Sequence, residues 1–167
     1  MTSSSPSQSA PDEAALPLYR GSCHCGYVTY TCELDFQTPH PSTGAILTRC
    51  NCTICHKSGM LLATPFHFTL LSPPRGEADI TEYTYRTGKV KHSFCPKCGI
   101  RCFLHGTYDG PDGAEVSFRR VNVLTLDGRD DGQPMDDLRK VEVLYWDGKT
   151  GDWSKGPSKE PYDGGAR

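Results

Sequence analysis

Hydrophobic and polar positions alternate with a period of two in the clearest segment of the chain. Val28, Tyr30, Cys32 and Leu34 fall on one face, and Tyr27, Thr29, Thr31 and Glu33 on the other. That pattern predicts a half-buried β-strand. Further along, Ala45 to Thr48 reads as a short apolar strand. Met60 to Leu71 is apolar but interrupted by Pro65, which predicts an edge or bent strand. Ile80 to Thr87, rich in Thr and Tyr, reads as another strand. Val90, His92 and Phe94 share a face in the next segment, and Ile100 to His105 follows. Val116 to Leu126 is the longest candidate, and Val141 to Trp146 the last. Gly and Pro clusters separate these runs, at Gln37 to Gly44, Ser72 to Gly76, Tyr108 to Gly113 and Asp127 to Pro134. Helical turns are expected only near His56 to Gly59 and Met135 to Arg139. The fold class is therefore mainly β, with short strands at close spacing and few short helices.

Residues 1–17 are rich in Ser, Pro and Ala and predict a disordered tail. Residues 18–150 form one domain, and 151–167 read as a loosely packed C-terminal tail. Only 36% of the chain is hydrophobic, a lean supply for a core of this size. Nine cysteines accompany it, so cross-linking by metal or disulfide is expected. Residues 1–17 lack the apolar core of a secretory leader, and no run reaches the ~18 apolar residues of a membrane span. These features predict a cytoplasmic protein, with the nucleus as the alternative, where clustered cysteines bind metal more often than they pair. A net charge of −2 argues against a partner held by its phosphates, so no nucleic acid and no membrane is expected. The sequence does not fix the oligomeric state.

The cysteines sort into two kinds of motif. Cys23-His24-Cys25-Gly26 and Cys95-Pro96-Lys97-Cys98-Gly99 both end in Cys-Gly. Glycine there permits a positive φ, so each turn can fold over an ion. Two such turns make a closed four-thiolate zinc site, which is structural. The segment Arg49-Cys50-Asn51-Cys52-Thr53-Ile54-Cys55-His56-Lys57 carries three cysteines within six positions and no trailing glycine. No helix or regular strand puts all three on one face, so the backbone must wrap around something. Three protein thiolates leave a zinc position open for water or substrate, unless Cys102 or Cys32 closes it. Both of these alternate with apolar neighbours, as buried free cysteines do.

Gly21-Ser22-Cys23-His24-Cys25-Gly26, then Cys50-x-Cys52-x-x-Cys55, then Phe94-Cys95-Pro96-Lys97-Cys98-Gly99 resemble the glutathione-dependent formaldehyde-activating enzyme and centromere protein V family. Val121 to Asp127 resembles the family's closing strand, so the likeness runs from about Tyr19 to Leu126. It implies a β-tent fold of packed antiparallel sheets. It implies one zinc on Cys23, Cys25, Cys95 and Cys98, and a second at a substrate site on Cys50, Cys52 and Cys55. The implied activity is that of a carbon–sulfur lyase: joining formaldehyde to the thiol of glutathione, and the reverse. The chain departs from the family past Leu126, where members often carry a histidine. The last histidine here is His105.

A zinc held by three thiolates suits thiol chemistry better than water activation, and a proton must then move to or from the new alkoxide. His56, beside Cys55, and His92 are the candidates for that transfer. Arg49, Lys57 and Arg101 are candidates to hold the carboxylates of a glutathione-like small molecule. Two other readings stay open: a lyase or hydrolase of an unrelated metabolite without glutathione, and a non-catalytic zinc module with a binding role. The absence of Lys and Arg from residues 1–17 counts against a chromatin-binding tail.

Overall fold

The computed structural model describes residues 15–110 and 112–165. Most of the expected N-terminal tail, residues 1–14, lies outside the described residues, as do residues 166–167 of the C-terminal one. The strands are β1 (Leu18–Ser22), β2 (Thr29–Glu33), β3 (Leu47–Cys50), β4 (Leu62–Ala63), β5 (His67–Ser72) and β6 (Thr81–Tyr83). They continue with β7 (Val90–Phe94), β8 (Phe103–Asp109), β9 (Glu115–Asn122), β10 (Leu126–Arg129) and β11 (Val143–Trp146). The helix α1 (Thr53–Lys57) is a single short turn or so, and the remaining helical turns are 3-10. The fold is mainly β, as the alternation requires.

The strands form two sheets. One has the order β10-β1-β2-β5, and the other β11-β3-β4-β9-β8-β7-β6. All pairings are antiparallel except β11 with β3. The core lies between the sheets. Val28, Tyr30, Cys32 and Leu34 are each buried to within 1%, and they meet Leu47, Ala63, Phe103 and Val121 of the larger sheet. Tyr30 stacks on Phe68 at 5.3 Å between ring centroids, and Phe68 packs on Phe103 at 5.0 Å. The buried Tyr30 hydroxyl is satisfied by Thr125 Oγ1 at 2.8 Å, which removes the penalty of an unpaired polar group.

Since paired residues share a face, the register also defines the opposite side of the larger sheet. His92 pairs with Leu104 and Leu104 with Arg120. Leu144 pairs with Thr48, Thr48 with Leu62 and Leu62 with Asn122. This outer face carries a second apolar cluster, Met60, Leu62 and Leu104 with Val90 and Phe118. The chain from Cys50 to Gly59 leaves the end of β3 beside it.

Several element boundaries differ from the sequence expectation, and the bent strand expected over Met60 to Leu71 divides into β4 and β5 on different sheets. The long strand expected over Val116 to Leu126 stops at Asn122. The Asn122 carboxamide accepts from Leu61 N and Leu124 N, and donates to the Arg101 carbonyl at 3.0 Å. A 3-10 turn over Val123–Thr125 then carries the chain from one sheet to the other. The polar segment after it, expected as loop, forms β10 against β1 because the edge of that strand is unpaired there. The strand expected at Ile100 begins only at Phe103 and runs through Asp109, held by β7 and β9 on its two sides. The strand expected over Ile80 to Thr87 ends at Tyr83.

Candidate metal centres

Cys23 and Cys25 sit in the turn between β1 and β2, and Cys95 and Cys98 in the turn between β7 and β8. Their four Sγ atoms lie within 4.8 Å of one another. Gly26 and Gly99 adopt φ of 72° and 75°, so each turn can reverse immediately after its second cysteine. Backbone amides point at the sulfurs, with Val28 N donating to Cys23 Sγ at 3.2 Å and Lys97 N to Cys95 Sγ at 3.4 Å. Four sulfurs at about 2.3 Å from one zinc would lie about 3.8 Å apart. The Cys23–Cys25 and Cys25–Cys95 separations are both 3.6 Å, so the cage fits a tetrahedral ion. A backbone amide of Ile100 holds the Cys98 thiol down at about 6, whereas burial raises Cys95 to about 11.

Cys50 ends β3, Cys52 is the N-cap residue of α1, and Cys55 lies within the helix. Cys52 makes no capping bond to the helix, because its sulfur turns toward the other two. The three Sγ atoms lie within 4.8 Å of one another, and no fourth Cys, His, Asp or Glu of the described residues joins them. Cys32 and Cys102, which sequence left as candidates to close this site, do not. Both are buried, at 0% and 1% exposure, and burial pushes both thiols up to about 12. Cys102 lies near Cys23, Cys95 and Cys98 instead. Within the triplet, hydrogen bonds from Cys50 and Cys55 hold the Cys52 thiol well below its usual range, while hydrogen bonds to the neighbouring cysteines, and then burial, raise the other two. A soft dication bound by the three sulfurs would displace their protons.

The surroundings of the triplet come from distant parts of the chain. Asn51, buried between Cys50 and Cys52, donates to Asp147 Oδ1 at 2.8 Å and accepts from Lys149 N at 2.8 Å. Asn51 Nδ2 also reaches the Asp163 carbonyl at 3.4 Å. Residues 151–165, for which sequence suggests loose packing, carry a 3-10 turn at Trp153–Lys155 and a bridge from Ser158 to Tyr145. The cleft beside the triplet is lined by Arg49, Cys50, Cys55, His56, Trp146 and Tyr162, among others, and encloses about 20 Å³. That is room for about one water at its floor.

Of the residues singled out in the sequence, Arg49 and His56 line this cleft, whereas Lys57 is exposed and does not. His92 is 3% exposed and does not line the cleft. Burial and the Arg101 guanidinium hold its pKa below the usual range, and the Cys52 thiolate opposes them. Arg101 sits over the Phe94 ring at 5.3 Å.

Sequence reasoning did not find Tyr85, whose hydroxyl lies against Cys52 and is pushed up by burial and that thiolate. Tyr85 packs on His92 at 5.8 Å. Nor did it find Arg120, a half-buried residue near Cys50 and Cys55 whose guanidinium donates to Thr48 Oγ1 at 3.2 Å. A basic residue amid apolar neighbours in a strand was the available signal. Glu77, Glu82 and His105 form a third cluster, but Arg119 and Lys91 already pair with its carboxylates at 2.7 and 3.1 Å.

Residues 18–138 match the family model described as glutathione-dependent formaldehyde-activating enzyme. A crystal structure of a Rhodobacter sphaeroides protein is similar to this chain at 26% identity and a TM-score of 0.51. The likeness covers 76% of this chain and 99% of that one. No helix among the described residues is long and apolar enough to cross a membrane.

Proposed function

Because the chain belongs to the glutathione-dependent formaldehyde-activating enzyme family, we propose that it is a zinc-dependent carbon–sulfur lyase acting on a thiol adduct or small electrophile at Cys50, Cys52 and Cys55. Cys23, Cys25, Cys95 and Cys98 would hold a structural zinc, which would tie the β1–β2 turn to the β7–β8 turn. The observation that carries this reading is the three-cysteine group without a fourth ligand among the described residues, next to a cleft lined by Cys50 and Cys55. When bound there, zinc supplies a soft Lewis-acidic position that favours a thiolate over a thiol.

The chain's own residues do the rest. In the forward direction a thiol such as glutathione gives up its proton, its sulfur bonds to the carbon of formaldehyde, and the carbonyl π pair moves onto oxygen. That oxygen takes a proton, and His56, which lines the cleft, carries the proton from the thiol sulfur to the oxygen in this reading. His92 is the second candidate, but it does not line the cleft and its burial favours the neutral ring. Arg49, which lines the cleft, offers a cation for a carboxylate of glutathione, whereas Lys57 and Arg101, the other two candidates, do not line it. The Arg120 guanidinium offsets the negative charge of three thiolates around one dication.

The test is to follow ¹³C-formaldehyde and glutathione by NMR. The protein should speed formation of S-hydroxymethylglutathione over the uncatalysed rate, and Cys52→Ser should abolish the gain. No gain with the wild-type protein would remove glutathione and formaldehyde as substrates.

A further inference from the structure

Part of the cleft wall beside the three cysteines comes from a segment far along the chain. Residues 156–165 lie past residue 138, where the match to the family model ends. They nevertheless supply Tyr162 and Gly165 to the cleft, alongside Cys50, Cys55, His56 and Trp146. The segment is anchored near both of its ends. Ser158 and Tyr145 exchange backbone hydrogen bonds at 2.8 and 2.9 Å, on the free edge of β11. Asn51, between Cys50 and Cys52, donates from Nδ2 to the Asp163 carbonyl at 3.4 Å. A Cβ at Gly165 would stand 3.4 Å from Asn51 Cβ, so the segment lies directly on the cysteine turn. The Tyr162 hydroxyl donates to the Gly156 carbonyl at 3.2 Å, which fixes the ring against its own segment.

The space left beside the cysteines is about 20 Å³, room for about one water. A ligand whose sulfur reaches Cys50 and Cys55 through this cleft must carry the rest of its molecule out past the lining. Gly165 has no side chain, so Tyr162 sets the width on the side that the segment forms. 2-Mercaptoethanol leaves its sulfur as an unbranched chain. Glutathione branches at the second carbon from sulfur into two peptide arms, and both must pass the same wall. A cleft filled by one water has no room for that branch while the segment is in place, and displacing the segment costs its hydrogen bonds. The cysteines themselves do not distinguish the two ligands, because both present the same S–H.

We infer that Tyr162, held in place by residues 156–165, is a specificity-determining residue of the three-cysteine site and favours small unbranched thiols over tripeptide thiols such as glutathione. The inference rests on the lyase reading above and narrows its substrate class. Glutathione reaches the site only with the segment displaced, so its reaction carries that cost.

The ratio of two thiol affinities reads this directly. The cobalt-substituted protein is titrated with 2-mercaptoethanol and with glutathione, and the sulfur-to-cobalt band gives a Kd for each. Tyr162→Ala should tighten glutathione binding about 10-fold and leave 2-mercaptoethanol nearly unchanged, the scale of discrimination that a few atoms give in a closed pocket. Ser158→Pro removes the amide donor to Tyr145 at a residue that does not line the cleft, and should shift the ratio in the same direction. It decides the question should Tyr162→Ala fail to fold. A variant that binds glutathione more weakly relative to 2-mercaptoethanol would make Tyr162 a contact for the tripeptide and overturn the inference. An unchanged ratio would also overturn it, while leaving the lyase reading standing. If no thiol perturbs the cobalt in wild type or variant, the open centre is refuted and the inference falls with it.

Discussion

Gly148 lies against Cys50 so closely that a Cβ built at residue 148 would stand 2.3 Å from the Cys50 sulfur. It would also stand 3.0 Å from Cys52 Cβ and 3.3 Å from the Trp153 ring. The C-terminal segment can therefore pass over the three cysteines only if residue 148 has no side chain. Gly148→Ala should displace the 146–150 segment and lower metal occupancy at the triplet. Zinc analysis of the purified variant should fall from about two ions per chain toward one, with the circular dichroism spectrum retained.

Cys98→Ser should act differently. The four-cysteine group joins two turns about 70 residues apart in sequence, and the free energy of zinc binding there is folding free energy, on the order of 10 kcal/mol in small zinc peptides. The variant should be unfolded or insoluble, and chelation of wild-type protein should show the same loss of structure. A folded, metal-free Cys98→Ser protein would refute a structural role for that ion.

Cys52→Ser should leave the fold intact and remove one ion. The triplet lies on the outer face of the larger sheet, whereas the main core lies on the inner one. The thermal midpoint should drop by no more than a few degrees, the change expected for about 1 kcal/mol in a domain of this size.

Cys32 makes stability depend on pH at the alkaline end. Burial raises its folded-state pKa from 9.0 to about 12. The unfolded thiol ionises first, so the benefit of the buried neutral thiol is complete below pH 9 and is lost as pH rises toward 12. Between pH 9 and pH 10 the wild type should lose about 1 kcal/mol more than Cys32→Ala, read from urea midpoints at the two pH values. Equal losses would mean that Cys32 does not stay neutral in the fold.

What could be read in the sequence was local. The alternation of Val28, Tyr30, Cys32 and Leu34 predicted a strand face that is fully buried, because a period of two maps one side of a strand to the core. The Cys-Gly endings separated four cysteines from three, because the turn chemistry sits within a few residues. The surroundings of the triplet were not legible. Asn51 meets Asp147 across 96 residues, Arg120 and Trp146 reach the site through sheet register, and Tyr85 and Gly148 lie in the segments just past β6 and β11. No local pattern encodes that register. Asn122 likewise ends β9 through hydrogen bonds to Leu61 and Arg101, so the apolar run past it gave the wrong strand length.

The central claim is that the three-cysteine centre holds an ion with a free position while the four-cysteine centre does not. The direct measurement is the visible absorption of the cobalt-substituted protein during titration with glutathione and with 2-mercaptoethanol. Thiol binding should add a sulfur-to-cobalt band and release a proton, because the ligand is the thiolate. The change should involve one of the two cobalt ions and vanish in Cys52→Ser. A spectrum in which neither cobalt responds to any thiol would mean that both centres are closed, and the protein would then be a structural zinc module rather than a lyase.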